Sequence, residues 1–165
     1  MPAAIISLAY IDLVEGRLAS ATSGFQRGIA VMQRLWGGDR PEVASAQAGL
    51  AAAMLESRRV DEAAALLDAA QPFLASSFSD DRGFQAMEPV LRAVLAAARH
   101  DRDRTAEQVR AAWAAIEREP AAAQAGLWSV CARSIRPYRP DLARIAEKRS
   151  KTATREVAFR ERVTP

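Results

Sequence analysis

Cysteine occurs once in this chain, at Cys131, which excludes an internal disulfide and any zinc cluster built from cysteines, and fits a reducing cytoplasm. Histidine is equally scarce. His100 stands alone in a charged bend, with no second histidine to complete a metal site or an oriented acid-base pair, so a solvated turn residue is expected. Aromatic residues make up 6% of the chain and no run alternates in the manner of a strand, so no sheet is expected. A phosphate-binding loop is also missing: Gly24-Phe25-Gln26-Arg27-Gly28 lacks the lysine and falls inside a helical pattern, which leaves no nucleotide or other cofactor to expect. The opening Met1-Pro2-Ala3-Ala4-Ile5-Ile6 carries no basic leader, and Asp12 and Glu15 interrupt its apolar run well short of a membrane span. Neither export nor membrane insertion is expected.

Alanine is what the chain has instead. Half of the 165 residues are hydrophobic, and stretches such as Ala51-Ala52-Ala53, Ala63-Ala64-Ala65 and Ala96-Ala97-Ala98 favour closely packed helices. Apolar residues at helical spacing predict one helix through Ile5, Leu8, Ala9 and Leu13 and a second through Leu18, Ala21, Phe25, Ile29 and Met32, broken near Gly16. Gly37-Gly38-Asp39-Arg40-Pro41 ends the second and opens a third, Pro41 to Ser57, that buries Ala46, Leu50, Ala53, Met54 and Leu55. A fourth begins near Asp61-Glu62, with Pro72 expected to kink or shorten it. A fifth runs through Phe84, Met87, Val90, Leu91, Val94 and Leu95 despite Pro89. A sixth spans Thr105 to Arg118, and a seventh runs from Pro120 past Leu127, Trp128, Val130 and Cys131 to about Arg136. The expected organisation is a helical domain over 1–136 and a basic, partly disordered tail over 137–165.

Seven positions recur at one offset. Leu8, Ala9, Leu13, Gly16, Leu18, Ala21 and Phe25 return 42 residues later as Leu50, Ala51, Leu55, Arg58, Val60, Ala63 and Leu67. A helix-turn-helix unit that repeats this way cannot bury its face alone and must stack on neighbours. A third, degraded copy places Val94, Ala98, Ala106 and Val109 in roughly matching positions, with Asp103 where an apolar residue is expected. The pattern resembles the tetratricopeptide repeat (TPR) family through Ala9, Gly16, Leu18, Ala21 and Phe25, and again through Ala51, Val60, Asp61, Glu62, Ala63, Leu67 and Ala70. It departs from that family at Arg58, where the turn glycine is replaced. With its longer period and alanine- and leucine-rich helices, the chain is most similar to the repeat region of MalT-type regulators of the LuxR family. The resemblance covers residues 3 to 118. It implies an all-α superhelix of stacked antiparallel helix pairs whose groove binds a protein or peptide partner, or a small inducer, as the sensing part of a bacterial transcriptional regulator.

No set of residues suggests catalysis. Cys131 sits on an apolar stripe where an inert buried thiol is the ordinary state, and Asp61, Glu62, Asp101 and Asp103 fall at helix starts, where capping accounts for them. Trp36, Trp113 and Trp128 fit core packing better than a groove lining. Partner contacts are expected from Asp12, Glu15, Gln47 and Glu56, polar residues between the buried positions of first helices, with no catalytic, cofactor or metal residue and with homodimerisation left open. Nucleic acid offers a second reading. Residues 1–132 hold 13 arginines against 16 acidic groups, while 133–165 hold 10 basic against 4 acidic, a net +6 that could contact phosphates.

Overall fold

The computed structural model describes residues 2–38, 40–77 and 82–163, with side chains over 2–38, 40–73 and 87–159. Among these residues the chain is all-helical, with eight helices: α1 (Pro2–Val14), α2 (Leu18–Trp36), α3 (Pro41–Glu56), α4 (Val60–Ser77), α5 (Arg82–Ala98), α6 (Arg102–Glu117), α7 (Ala121–Ile135) and α8 (Pro140–Val163). They fall into two compact units, Met1–Asp81 and Arg82–Pro165, each holding two hairpins. In the first unit α1 packs on α2 and α3 on α4, and α2 joins the two pairs by lying against α3. In the second, α5 pairs with α6 and α7 with α8, and α5 lies against α7.

The turns explain why the chain repeats. Each of the first three hairpins closes with the same pair of backbone hydrogen bonds: Gly16 N–H donates to Leu13 and Arg17 to Asp12, Arg58 to Leu55 and Arg59 to Met54, His100 to Ala97 and Asp101 to Ala96. This is the Schellman closure, which satisfies the last carbonyls of the first helix and requires a left-handed residue at the turn. Gly16 (φ 77°), Arg58 (φ 61°) and His100 (φ 58°) supply it, and each stands 42 residues after the last. A side chain in this conformation costs about 1–2 kcal/mol, of which glycine's greater unfolded freedom offsets part. Arg58→Gly is therefore expected to stabilise the first unit by up to about 1 kcal/mol in urea denaturation, a gain that would not appear if the turn were right-handed.

The third copy is consequently in strict register with the other two, one residue away from where Val94, Ala98 and Ala106 would have put it. Ala93, Ala97, Thr105 and Val109 are the buried equivalents, at 1%, 4%, 2% and 6% exposure. Apolar identity concealed them, because Arg92 and Arg102 occupy positions that are apolar in both earlier copies and Thr105 replaces alanine. Buried Thr105 keeps its hydroxyl satisfied by donating to the Asp101 carbonyl, while the Asp101 carboxylate caps α6 by accepting from the Arg104 N–H at 3.0 Å. The fourth hairpin closes without a left-handed residue. Tyr138 and Arg139 N–H both donate to the Ile135 carbonyl between Pro137 and Pro140.

Residues 140–163, within the segment expected to be basic and partly disordered, form the longest helix among the described residues, and the domain boundary expected at 136 lies inside a packed hairpin. The count of seven becomes eight. Ala143, Ala146 and Ala153 of α8 are buried at 1%, 0% and 4%, a stripe of small residues that lets α8 approach α7 closely. The composition concealed this helix, because its apolar face is alanine and its other faces are charged. Pro72 does not end α4, which continues to Ser77, and α5 runs through Pro89 to Ala98 as expected. Phe84, expected on the α5 stripe, lies outside the residues whose side chains are described.

Candidate functional site

The four predicted partner contacts fall in two places, Asp12 and Glu15 at the α1–α2 turn and Gln47 and Glu56 on α3. Asp12 accepts from Arg17 Nε at 2.7 Å and from the Ser20 hydroxyl at 2.5 Å, and Glu15 pairs with the same Arg17. Hydrogen bonds from Ser20 and Arg17 hold the Asp12 carboxyl below its ordinary value. Both carboxylates thus brace the α1–α2 hairpin. Gln47 and Glu56 are half-buried on α3, nine residues and about 13 Å apart along its axis.

The neighbouring face of α1 is a different surface. Leu8, Ile11 and Val14 are 63%, 50% and 50% exposed, although Leu8 belongs to the repeat stripe and was expected to be covered. One repeat later the equivalents of Leu8 and Ile11, Leu50 and Ala53, are 5% and 0% exposed. The difference is the preceding hairpin, since α1 and α2 lie against α3. There the Tyr10 hydroxyl donates to the Ser45 carbonyl at 2.9 Å, and the Tyr10 ring meets Phe25 edge-on at 4.9 Å. In the described structure α1 has no such hairpin on its outer side.

In the second unit the core centres on Trp128, which is 1% exposed and packs with Val90, Ala112, Ile116, Leu127, Cys131 and Ala146. Trp113 meets it edge-on at 6.0 Å, and the Arg149 guanidinium from α8 lies over both rings, 4.7 Å from Trp113 and 5.0 Å from Trp128, while pairing with Glu117. Trp36, by contrast, is 44% exposed at the end of α2. Of the ten basic residues over 133–165, Arg149 forms a local ion pair as described, Arg136 pairs with Glu147, and Arg139 pairs with Asp141. Arg160 and Arg162 lie outside the residues whose side chains are described. Burial pushes the Cys131 thiol up to about 12. A disulfide exchange reagent at pH 8 is expected to leave native Cys131 unmodified and to label it fully once the chain is denatured; rapid labelling of the folded protein would contradict this burial.

A cavity of about 570 Å³ opens where the α5–α6 and α7–α8 turns meet, and is lined by Ala97, His100, Arg102, Thr105, Tyr138, Arg139 and Asp141. Arg139 grips Asp141 with Nε at 2.9 Å and Nη2 at 2.6 Å, which lowers Asp141 to about 2 and raises Arg139. His100 is exposed in the α5–α6 turn, where a solvated turn residue is expected, and stands 84 residues after Gly16.

Among the described residues no cluster of histidine, cysteine, aspartate or glutamate is arranged to hold a metal ion, and no helix is long and apolar enough to cross a membrane. No protein-family model, curated protein or solved structure matches this chain.

Proposed function

We propose that this chain is a helical-repeat recognition module that binds a protein partner, docking a helix of that partner across the outer face of α1. The observation that carries the reading is the contrast between Leu8 and Ile11, exposed on α1, and Leu50 and Ala53, buried at the same repeat positions on α3. An apolar stripe that the repeat covers elsewhere with an αα-hairpin is complementary to helical protein surface, and contiguous exposed apolar patches mark interaction sites. The TPR-like pattern and the similarity to MalT-type LuxR-family regulators support a setting in which such a module senses a partner within a bacterial transcriptional regulator.

Burying one leucine or isoleucine contributes about 1.5–3 kcal/mol, so Leu8→Asp with Ile11→Asp is expected to weaken the complex by at least about a hundredfold. The test identifies a co-purifying partner, reconstitutes the complex from pure components and measures affinity for three forms. The double variant should lose binding, while Asp61→Ala and the wild type should bind alike. Equal affinity in all three would reject the α1 face, and loss confined to a fourth form, Gln47→Ala with Glu56→Ala, would transfer recognition to the polar edge of α3.

A further inference from the structure

From the geometry of the second unit we infer that the cavity between its two hairpin turns binds a small organic oxyanion, a carboxylate attached to an apolar group. This site is separate from the α1 face and does not depend on it. The cavity's volume of about 570 Å³ falls within the range of small-molecule pockets and exceeds what a bare inorganic ion fills. Its polar groups are weighted toward donors. Asp141, the carboxylate in the lining, has both oxygens engaged by the Arg139 fork, so it is already satisfied. That fork uses Nε and Nη2, which leaves the Nη1 hydrogens of Arg139 for another acceptor. Among the described residues no hydrogen bond or ion pair engages the side chain of Arg102 or His100. A carboxylate accepting from Arg102 and His100 would form charge-assisted hydrogen bonds, and the Tyr138 ring with the Ala97 methyl would receive the apolar portion.

The hairpin closure places His100 beside the cavity. The equivalent turn position is Gly16 in the first hairpin and Arg58 in the second, each with positive φ, so the left-handed backbone belongs to the repeated turn and the third copy sets an imidazole in the cavity lining.

His100→Gly separates the two roles, because it removes the imidazole while relieving the backbone. The full chain is titrated with benzoate, inorganic phosphate and benzylamine, with backbone amide chemical shifts as the readout. Benzoate is expected to shift amides around residues 98–103 and 138–142 and to saturate in roughly the millimolar range suited to so small a ligand. Arg102→Ala should weaken benzoate binding about tenfold, and His100→Gly should weaken it while leaving the melting temperature equal or higher. Phosphate saturating at the same amides but at lower concentration than benzoate would overturn the organic part of the assignment. Benzylamine shifting the same amides as strongly, no saturation with benzoate, or wild-type affinity in both variants would overturn the site. None of these results bears on whether the α1 face binds a protein.

Discussion

Trp128→Ala is expected to lower the stability of the second unit by about 3–5 kcal/mol, the range for deleting a buried aromatic side chain whose space cannot collapse. The residue is 1% exposed and is among the largest fully buried side chains described. Its loss also removes one of the two rings beneath Arg149, so the attachment of α8 should loosen together with the core. Because small domains are stable by only about 5–15 kcal/mol, the variant should show faster amide exchange through α5 to α8 and an earlier unfolding midpoint by circular dichroism. Retained protection across α8 would contradict the account of how that helix is held.

Gly49→Val tests the stacking of one hairpin on the next. A Cβ at this position would stand 2.5 and 2.6 Å from two ring carbons of Phe25 and 3.1 Å from the Tyr10 ring. Phe25 is fully buried and has no space into which to withdraw, so the substitution forces α3 away from the α1–α2 hairpin. Overpacking of a closed core costs about 1–3 kcal/mol and sometimes more, and the rigid neighbour places this case at the upper end. Urea denaturation of the first unit should show a fall of about 3 kcal/mol, with exposure of Tyr10 and Phe25 to solvent. A change below about 0.5 kcal/mol would mean that the two hairpins are not in contact there.

The helices that bury leucine, isoleucine and phenylalanine were legible from spacing alone, and the 42-residue offset was visible wherever those residues recur. What escaped was written in smaller or ambiguous side chains. The helix α8 buries Ala143, Ala146 and Ala153 beneath a charged exterior, a pattern that in sequence reads as solvated chain. The third repeat slipped by one residue because its buried positions are Ala93, Ala97 and Thr105, which carry little periodic hydrophobic signal. Left-handed backbone at Arg58 and His100 is invisible where glycine does not announce it, yet it fixes the register more firmly than any apolar match.

The candidate sites were less legible still. Asp12 and Glu15 sit where polar spacing put them, but Arg17 and Ser20 draw them into the hairpin turn, a relation that depends on side-chain reach across the bend. Leu8 fits the buried stripe in sequence yet is 63% exposed, whereas its equivalent Leu50 has a hairpin against it. The cavity assembles from two turns about 40 residues apart, and no local motif joins His100 and Arg102 to Tyr138 and Arg139.

Repetition of a single hairpin, closed in its first three copies by one left-handed residue, underlies both the uncovered α1 face and the placement of His100. One-bond Cα–Hα couplings measured by NMR on the intact chain report the sign of φ directly. They should give positive φ at Gly16, Arg58 and His100 alike, with negative φ at the residues that follow the first and third turns, Arg17 (φ -80°) and Asp101 (φ -82°). A right-handed value at Arg58 or His100, with helix running unbroken through the turn, would contradict it.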